Sequence, residues 1–182
     1  MNTVLLTNLI KIRWIAIFGQ LITLFTIFFL FNFTIPLTEC LFVVLSSILV
    51  NFFSYFILRG NSTLSDKKTF LFLLFDISQL VGLLFLTGGV FNPFVVLIIA
   101  PIIISASYLS ALWTILLSLY SIVLILIVNY NYIPLNWQQE FITLSIYNIG
   151  ILVALIITIV FLAMYAYLFA SSARKISSAL KA

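Results

Sequence analysis

The sequence predicts an all-α membrane protein of six transmembrane helices, with both termini in the cytoplasm and the last helix extending beyond the bilayer. Three observations predict it. The 182 residues are 65% hydrophobic and 7% charged, with a mean hydropathy of +1.35, a composition suited to lipid rather than water. Apolar runs recur at about the ~20 residues that cross a ~30 Å hydrocarbon core. The eight Lys and Arg residues fall in three clusters beside these runs, the pattern that orients helices in membranes. The net charge of +4 therefore does not indicate a nucleic-acid partner; the partner it indicates is the lipid bilayer.

Residues 1–13 form an amphipathic lead-in ending at Lys11 and Arg13, and Trp14 marks the interface. The apolar run that follows is too long for a signal peptide and lacks a small-residue cleavage site, so it is an uncleaved first span over 14–33. A second span covers 38–58. The polar stretch 59–68 holds Arg59, Lys67 and Lys68, and a third span follows over 70–87. From Pro93 to Val128 the chain is apolar for far longer than one crossing needs. Two short spans, 93–108 and 110–128, resolve this, with the break near Ser105–Ser110. The split also places every basic residue on one side of the membrane.

Asn129–Ser145 is polar, aromatic and free of basic residues, as an outer loop should be. The sixth span runs over 146–170. Residues 1–170 thus form one transmembrane domain, and 171–182 a cytoplasmic helical linker. Ala163, Ala166, Ala170, Ala173, Ser177 and Leu180 recur at three- and four-residue spacing across that boundary. Such a stripe suits close helix pairing, hence a homodimer through the last helix, and equally suits an alanine-rich helix end.

No histidine is present, and Cys40 is the single cysteine. That excludes a histidine-ligated haem or metal, an intrachain disulfide and a Ser-His-Asp triad. No phosphate-binding glycine loop appears either. Cys40 has no basic neighbour or CxxC partner and reads as a small core residue. Pro101 falls inside the fourth span, where it bends the helix or frees a carbonyl.

Two features carry chemistry. The first is Leu86–Phe94. Gly88 and Gly89 permit positive φ and close approach of another group, and Asn92-Pro93 reads as an N-cap followed by a first helical residue. Phe91 and Phe94 flank these polar groups. N–H groups at the new helix start and the Asn92 amide suit a neutral carbonyl acceptor between aromatic faces, a description that fits a quinone. The same residues also suit a plain capped turn. The second is Asp76, the one ionisable residue inside a predicted span, with Gln79, Leu80, Leu83 and Thr87 on its helical face. It reads as a relay group or as one half of an interhelical hydrogen bond, to Gln20, Arg13 or an asparagine.

Gly88-Gly89-Val90-Phe91-Asn92-Pro93-Phe94 resembles the GGxxNPF motif of the RegB/PrrB/ActS redox-responsive sensor histidine kinases. Arg13-Trp14-Ile15-Ala16-Ile17-Phe18-Gly19-Gln20 resembles that family's first-helix RWxAxxGQ pattern. Asp76 with Leu80, Leu83 and Leu84 resembles its third helix, and Ala100-Pro101 with Ser105-Ala106 its fourth. The resemblance implies a ubiquinone/ubiquinol site at Gly88, Gly89, Asn92, Pro93 and Phe94, and no metal. It also implies control of a cytoplasmic kinase that phosphorylates a response regulator. The family's phosphoacceptor histidine, ATP-binding region and redox cysteine all lie downstream of the sixth helix. These residues are therefore expected to be the sensor part of a longer protein, or a truncated relative without enzyme activity of its own. The readings that do not use the resemblance are a small transporter or substrate-capture subunit, and a purely structural membrane subunit.

Overall fold

A computed structural model of the chain describes residues 4–30, 33–57, 63–137 and six positions between 149 and 160. Those six, Ile149, Leu152, Val153, Ile156, Ile159 and Val160, are helical. The rest of the expected sixth span, and the linker 171–182 with its alanine stripe, lie outside the described residues.

Strand β1 (Val4–Leu5) leads into α1 (Leu6–Phe25), whose end widens into a π-helical turn, Thr26–Leu30. Strand β2 (Phe33–Thr34) precedes α2 (Leu37–Ile57), and β3 (Thr63–Leu64) precedes α3 (Asp66–Leu86). A short 3-10 turn, Gly89–Phe91, joins a second 3-10 segment, Pro93–Ile98, which runs into α4 (Ile99–Tyr108). Then come α5 (Ala111–Tyr130) and β4 (Asn136–Trp137).

Two antiparallel bridges tie the ends of this bundle. Val4 pairs with Leu64, and Phe33 with Trp137. Each bridge joins segments separated by an even number of helices, so successive helices alternate in direction. Lys11, Lys67 and Lys68 all lie toward the β1/β3 end.

Among the described residues four helices are long and apolar enough to cross a membrane: Leu9–Leu30, Leu37–Phe56, Asp66–Leu86 and Ala111–Tyr130. The fourth segment, Pro93–Tyr108, is shorter. Its first 6 residues wind as 3-10 helix and its last 10 as α-helix; at ~2.0 and ~1.5 Å per residue it reaches ~27 Å, close to a bilayer core. The 3-10 winding makes the segment longer than the same residues would be as an α-helix. The break expected near Ser105–Ser110 is found at Leu109–Ser110, between α4 and α5.

One boundary differs from expectation. Helix α1 begins at Leu6, not near Trp14, so Lys11 and Arg13 belong to the helix rather than to a lead-in. The β1–β3 bridge anchors this early start, and Leu9 and Ile12 pack into the core.

Helix α3 is the centre of the bundle: half of its span is buried, against less than a third for α1, α2 and α5. From Ile77 onward its buried residues come from nearly all sides, as befits a helix surrounded by others. Helix α2 turns inward a stripe of Cys40, Val44, Ser47, Asn51 and Ser54. These small or polar residues at three- and four-residue spacing let α1 and α3 approach closely. Cys40 is a fully buried core residue, as its sequence context indicates. Large apolar side chains such as Phe18, Phe42, Leu112 and Ile122 point outward, where lipid would meet them.

Candidate functional site

The glycine turn is held by the chain that follows α5. Gly88 and Gly89 have φ of +102° and +63°, a backbone region that costs residues bearing a Cβ. A Cβ on Gly89 would stand 2.7 Å from Tyr132 Cγ, and one on Gly88 3.0 Å from Leu135 Cδ1. The close approach these glycines permit is thus taken by Tyr132 and Leu135. The backbone is locked by the same loop: Ile133 N–H donates to Phe85 O at 2.7 Å, and Gly88 N–H to Ile133 O at 3.0 Å. Phe91 is exposed and its ring lies 5.8 Å from that of Tyr132.

Asn92 caps the segment that follows, with Pro93 as its first residue. Its Oδ1 accepts from Phe94 N–H at 2.9 Å, and Val95 N–H reaches Asn92 O at 3.0 Å. The Nδ2 group donates to Thr87 O at 3.0 Å and to Thr87 Oγ1 at 2.8 Å. Thr87 Oγ1 in turn donates to Leu83 O at 2.6 Å. The turn satisfies the end of one helix and the start of the next from within.

Beneath this turn, between α1, α3 and the 93–104 stretch, lies a cavity of ≈ 330 Å³. Asn92, Thr87 and Phe94 close it at the turn, and Arg13 and Asp76 lie toward the other end. Gln20 and Gln79 face it in between, with apolar walls from Leu80, Leu83, Leu97 and Pro101. Exposed Ile15 and Val160 also line it, so it opens toward the lipid-facing side. Of the residues singled out from the sequence, Asp76, Gln20, Asn92 and Phe94 meet at this cavity. Gly88, Gly89, Phe91 and Pro93 form the turn above it without lining it.

Asp76 pairs with Arg13. Arg13 Nε lies 2.8 Å from Asp76 Oδ1, and Nη2 donates to Oδ2 at 3.1 Å, a fork that joins α1 to α3. The guanidinium also sits over the ring of Phe72 at 5.0 Å and near that of Phe75 at 6.0 Å, which compensates further for a charge removed from water. Gln20 and Gln79 form a second connection: each Nε2 donates to the other's Oε1 at 3.1 Å.

The signal for this polar seam was in the spacing. Arg13, Ile17, Gln20 and Leu24 share one face of α1. Asp76, Gln79 and Thr87 share one face of α3. The sequence offered Arg13 beside Gln20 and an asparagine as the partner of Asp76 and treated Gln79 only as a neighbour of the acid, because nothing in either pattern says which two helices face each other.

The chain is 34% identical over 180 residues to the sensor histidine kinase RegB of Cereibacter sphaeroides, an alignment covering 97% of this chain. The chain belongs to the RegB family. It spans 39% of the length of that relative, and it is a membrane sensor domain of the sensor-kinase type. No family model and no solved structure matches it.

Proposed function

We propose that this chain reads the redox state of a membrane quinone and passes the result to a kinase domain. Ubiquinone enters the cavity from the lipid side, and its ring lies against Phe94 beneath the turn. Gly88, Gly89, Phe91, Asn92 and Pro93 fix the shape of that end. The observation that carries the reading is the cavity itself: ≈ 330 Å³, apolar, with amide groups inside and an opening toward lipid. Small-molecule sites of this kind start at ~300 Å³.

A quinone carbonyl only accepts hydrogen bonds, whereas a quinol hydroxyl also donates. The two forms therefore make different demands on the amides lining the cavity. Such a difference produces a signal when they bind two arrangements of the bundle unequally. The cavity touches α1, α3, the fourth segment and, through Ile156 and Val160, the last described helical positions. Signalling runs along that last helix, paired with its copy in a homodimer, to a kinase domain and then to a response regulator. In this reading the chain makes six spans of the bacterial inner membrane with both termini cytoplasmic, the β1/β3 end with Lys11, Lys67 and Lys68 facing the cytoplasm.

The test is binding of oxidised and reduced ubiquinone to the chain in lipid nanodiscs. Preferential binding of one form, weakened about tenfold or more in Phe94→Ala, is the expected result. Well-folded protein that binds neither form would end the quinone reading.

A further inference from the structure

We infer that Gln20 and Gln79 hold the ligand's carbonyl in the cavity, while Asn92 is a structural cap that makes no contact with it. This rests on the quinone reading above and names the residues that act in it. A neutral acceptor needs an N–H that the protein has left free, and counting hydrogens identifies where one exists.

Asn92 is already engaged at both ends of its amide: Nδ2 donates to Thr87 O and to Thr87 Oγ1, and Oδ1 takes the Phe94 N–H. Thr87 is engaged as well, since its hydroxyl donates to Leu83 O. The residues that stand out in the sequence of the turn are therefore satisfied before any ligand arrives.

The glutamines differ. A primary amide has two N–H donors and two acceptor lone pairs. The reciprocal pair engages one donor and one acceptor on each residue. Among the described residues neither side chain has another hydrogen-bond partner. Each therefore keeps one N–H, beside a cavity with Leu80, Leu83 and Leu97 in its walls. Unsatisfied donors in an apolar membrane interior are costly, so a carbonyl entering this space is stabilised there. In a closed amide pair the two spare N–H groups point to opposite sides, and a carbonyl takes one of them without separating α1 from α3. Arg13 also lines the cavity and keeps N–H groups beyond the one Nη2 gives to Asp76, but it is a charged donor held at the far end by its ion pair with Asp76 and its packing over Phe72. Thr23 and Ser47 bring hydroxyls to the same lining; the glutamines are its neutral amides with an N–H to spare.

The experiment uses the full chain in nanodiscs and ubiquinone-1 carrying ¹³C at the ring carbonyls, with affinity and the infrared carbonyl band as readouts. Wild type should bind with that band below its position in lipid alone, as hydrogen bonding requires. In Gln20→Leu/Gln79→Leu the affinity should fall about tenfold, the equivalent of one neutral hydrogen bond, and the band should return to its lipid position. Correctly folded Asn92→Ala protein should keep the shifted band. Should the double variant fail to fold, the single changes carry the same readout, and at least one must move the band. A shifted band and full affinity that survive loss of both glutamines would overturn the inference and assign the contact elsewhere, with the quinone reading intact. Wild-type protein that binds no quinone would remove the reading and the inference together.

Discussion

The turn at Gly88–Phe94 and the α1–α3 seam from Arg13 to Gln79 both place polar groups at one cavity, yet they treat those groups in opposite ways. At the turn, hydrogen bonds close on themselves. Asn92 donates to Thr87, the backbone of Ile133 pairs with Phe85 and Gly88, and Tyr132 and Leu135 pack over the glycines. At the seam, the Arg13–Asp76 fork is closed, but the Gln20–Gln79 pair leaves a donor and an acceptor on each amide. The comparison teaches that a conspicuous motif and a binding group need not be the same residues. The glycines and Asn92 build a rigid wall; the groups free to interact lie on ordinary helical faces below it.

The largest effect should come from breaking the closed part of the seam. Asp76→Leu leaves Arg13 as a buried charge without its partner, and should destabilise the bundle by about 3–5 kcal/mol, read by unfolding in mixed detergent micelles. Arg13→Leu/Asp76→Leu removes both charges and should recover most of that loss. If the double variant is no more stable than the single, the fork is not what makes Asp76 costly to replace.

Next comes the turn. Gly89→Ala places a Cβ against the Tyr132 ring at a φ of +63°. Strain and overpacking together should cost about 2–4 kcal/mol. Gly88 faces the flexible end of Leu135, so Gly88→Ala should cost less in the same assay. Equal costs would mean that the Tyr132 contact does not set the difference. The smallest expected loss is at the cap. Asn92→Ala should lower stability by about 1–2 kcal/mol, and in protein that remains folded it should leave quinone affinity near the wild-type value. A large loss of affinity with little loss of stability would reverse the contrast between wall and binding group.

Much of the fold was legible in the sequence. Hydropathy alone places α2, α3 and α5 within a few residues, because a lipid environment imposes length and composition directly. Asn92-Pro93 was legible as a cap, since capping is settled by residues two apart. The early start of α1 was not, because Val4–Leu5 is held by Thr63–Leu64, far along the chain. Nor was the 3-10 winding of Pro93–Ile98, which the apolar run Phe94–Ile98 does not distinguish from α-helix. For the site, Asp76 was conspicuous as a charge in an apolar span, whereas its choice of Arg13 over Gln20 was not.

The sequence by itself determined that this is a helical membrane protein, where most of its described helices fall, and that a tight capped turn follows α3. Those properties depend on composition, periodicity and contacts a few residues apart. Tertiary structure decided which faces meet: Arg13 with Asp76, Gln20 with Gln79, and Tyr132 over Gly89. The physical reason is that every span carries the same apolar signal outward to lipid. Only packing determines which few polar side chains must turn inward and pair, and where the space between them remains.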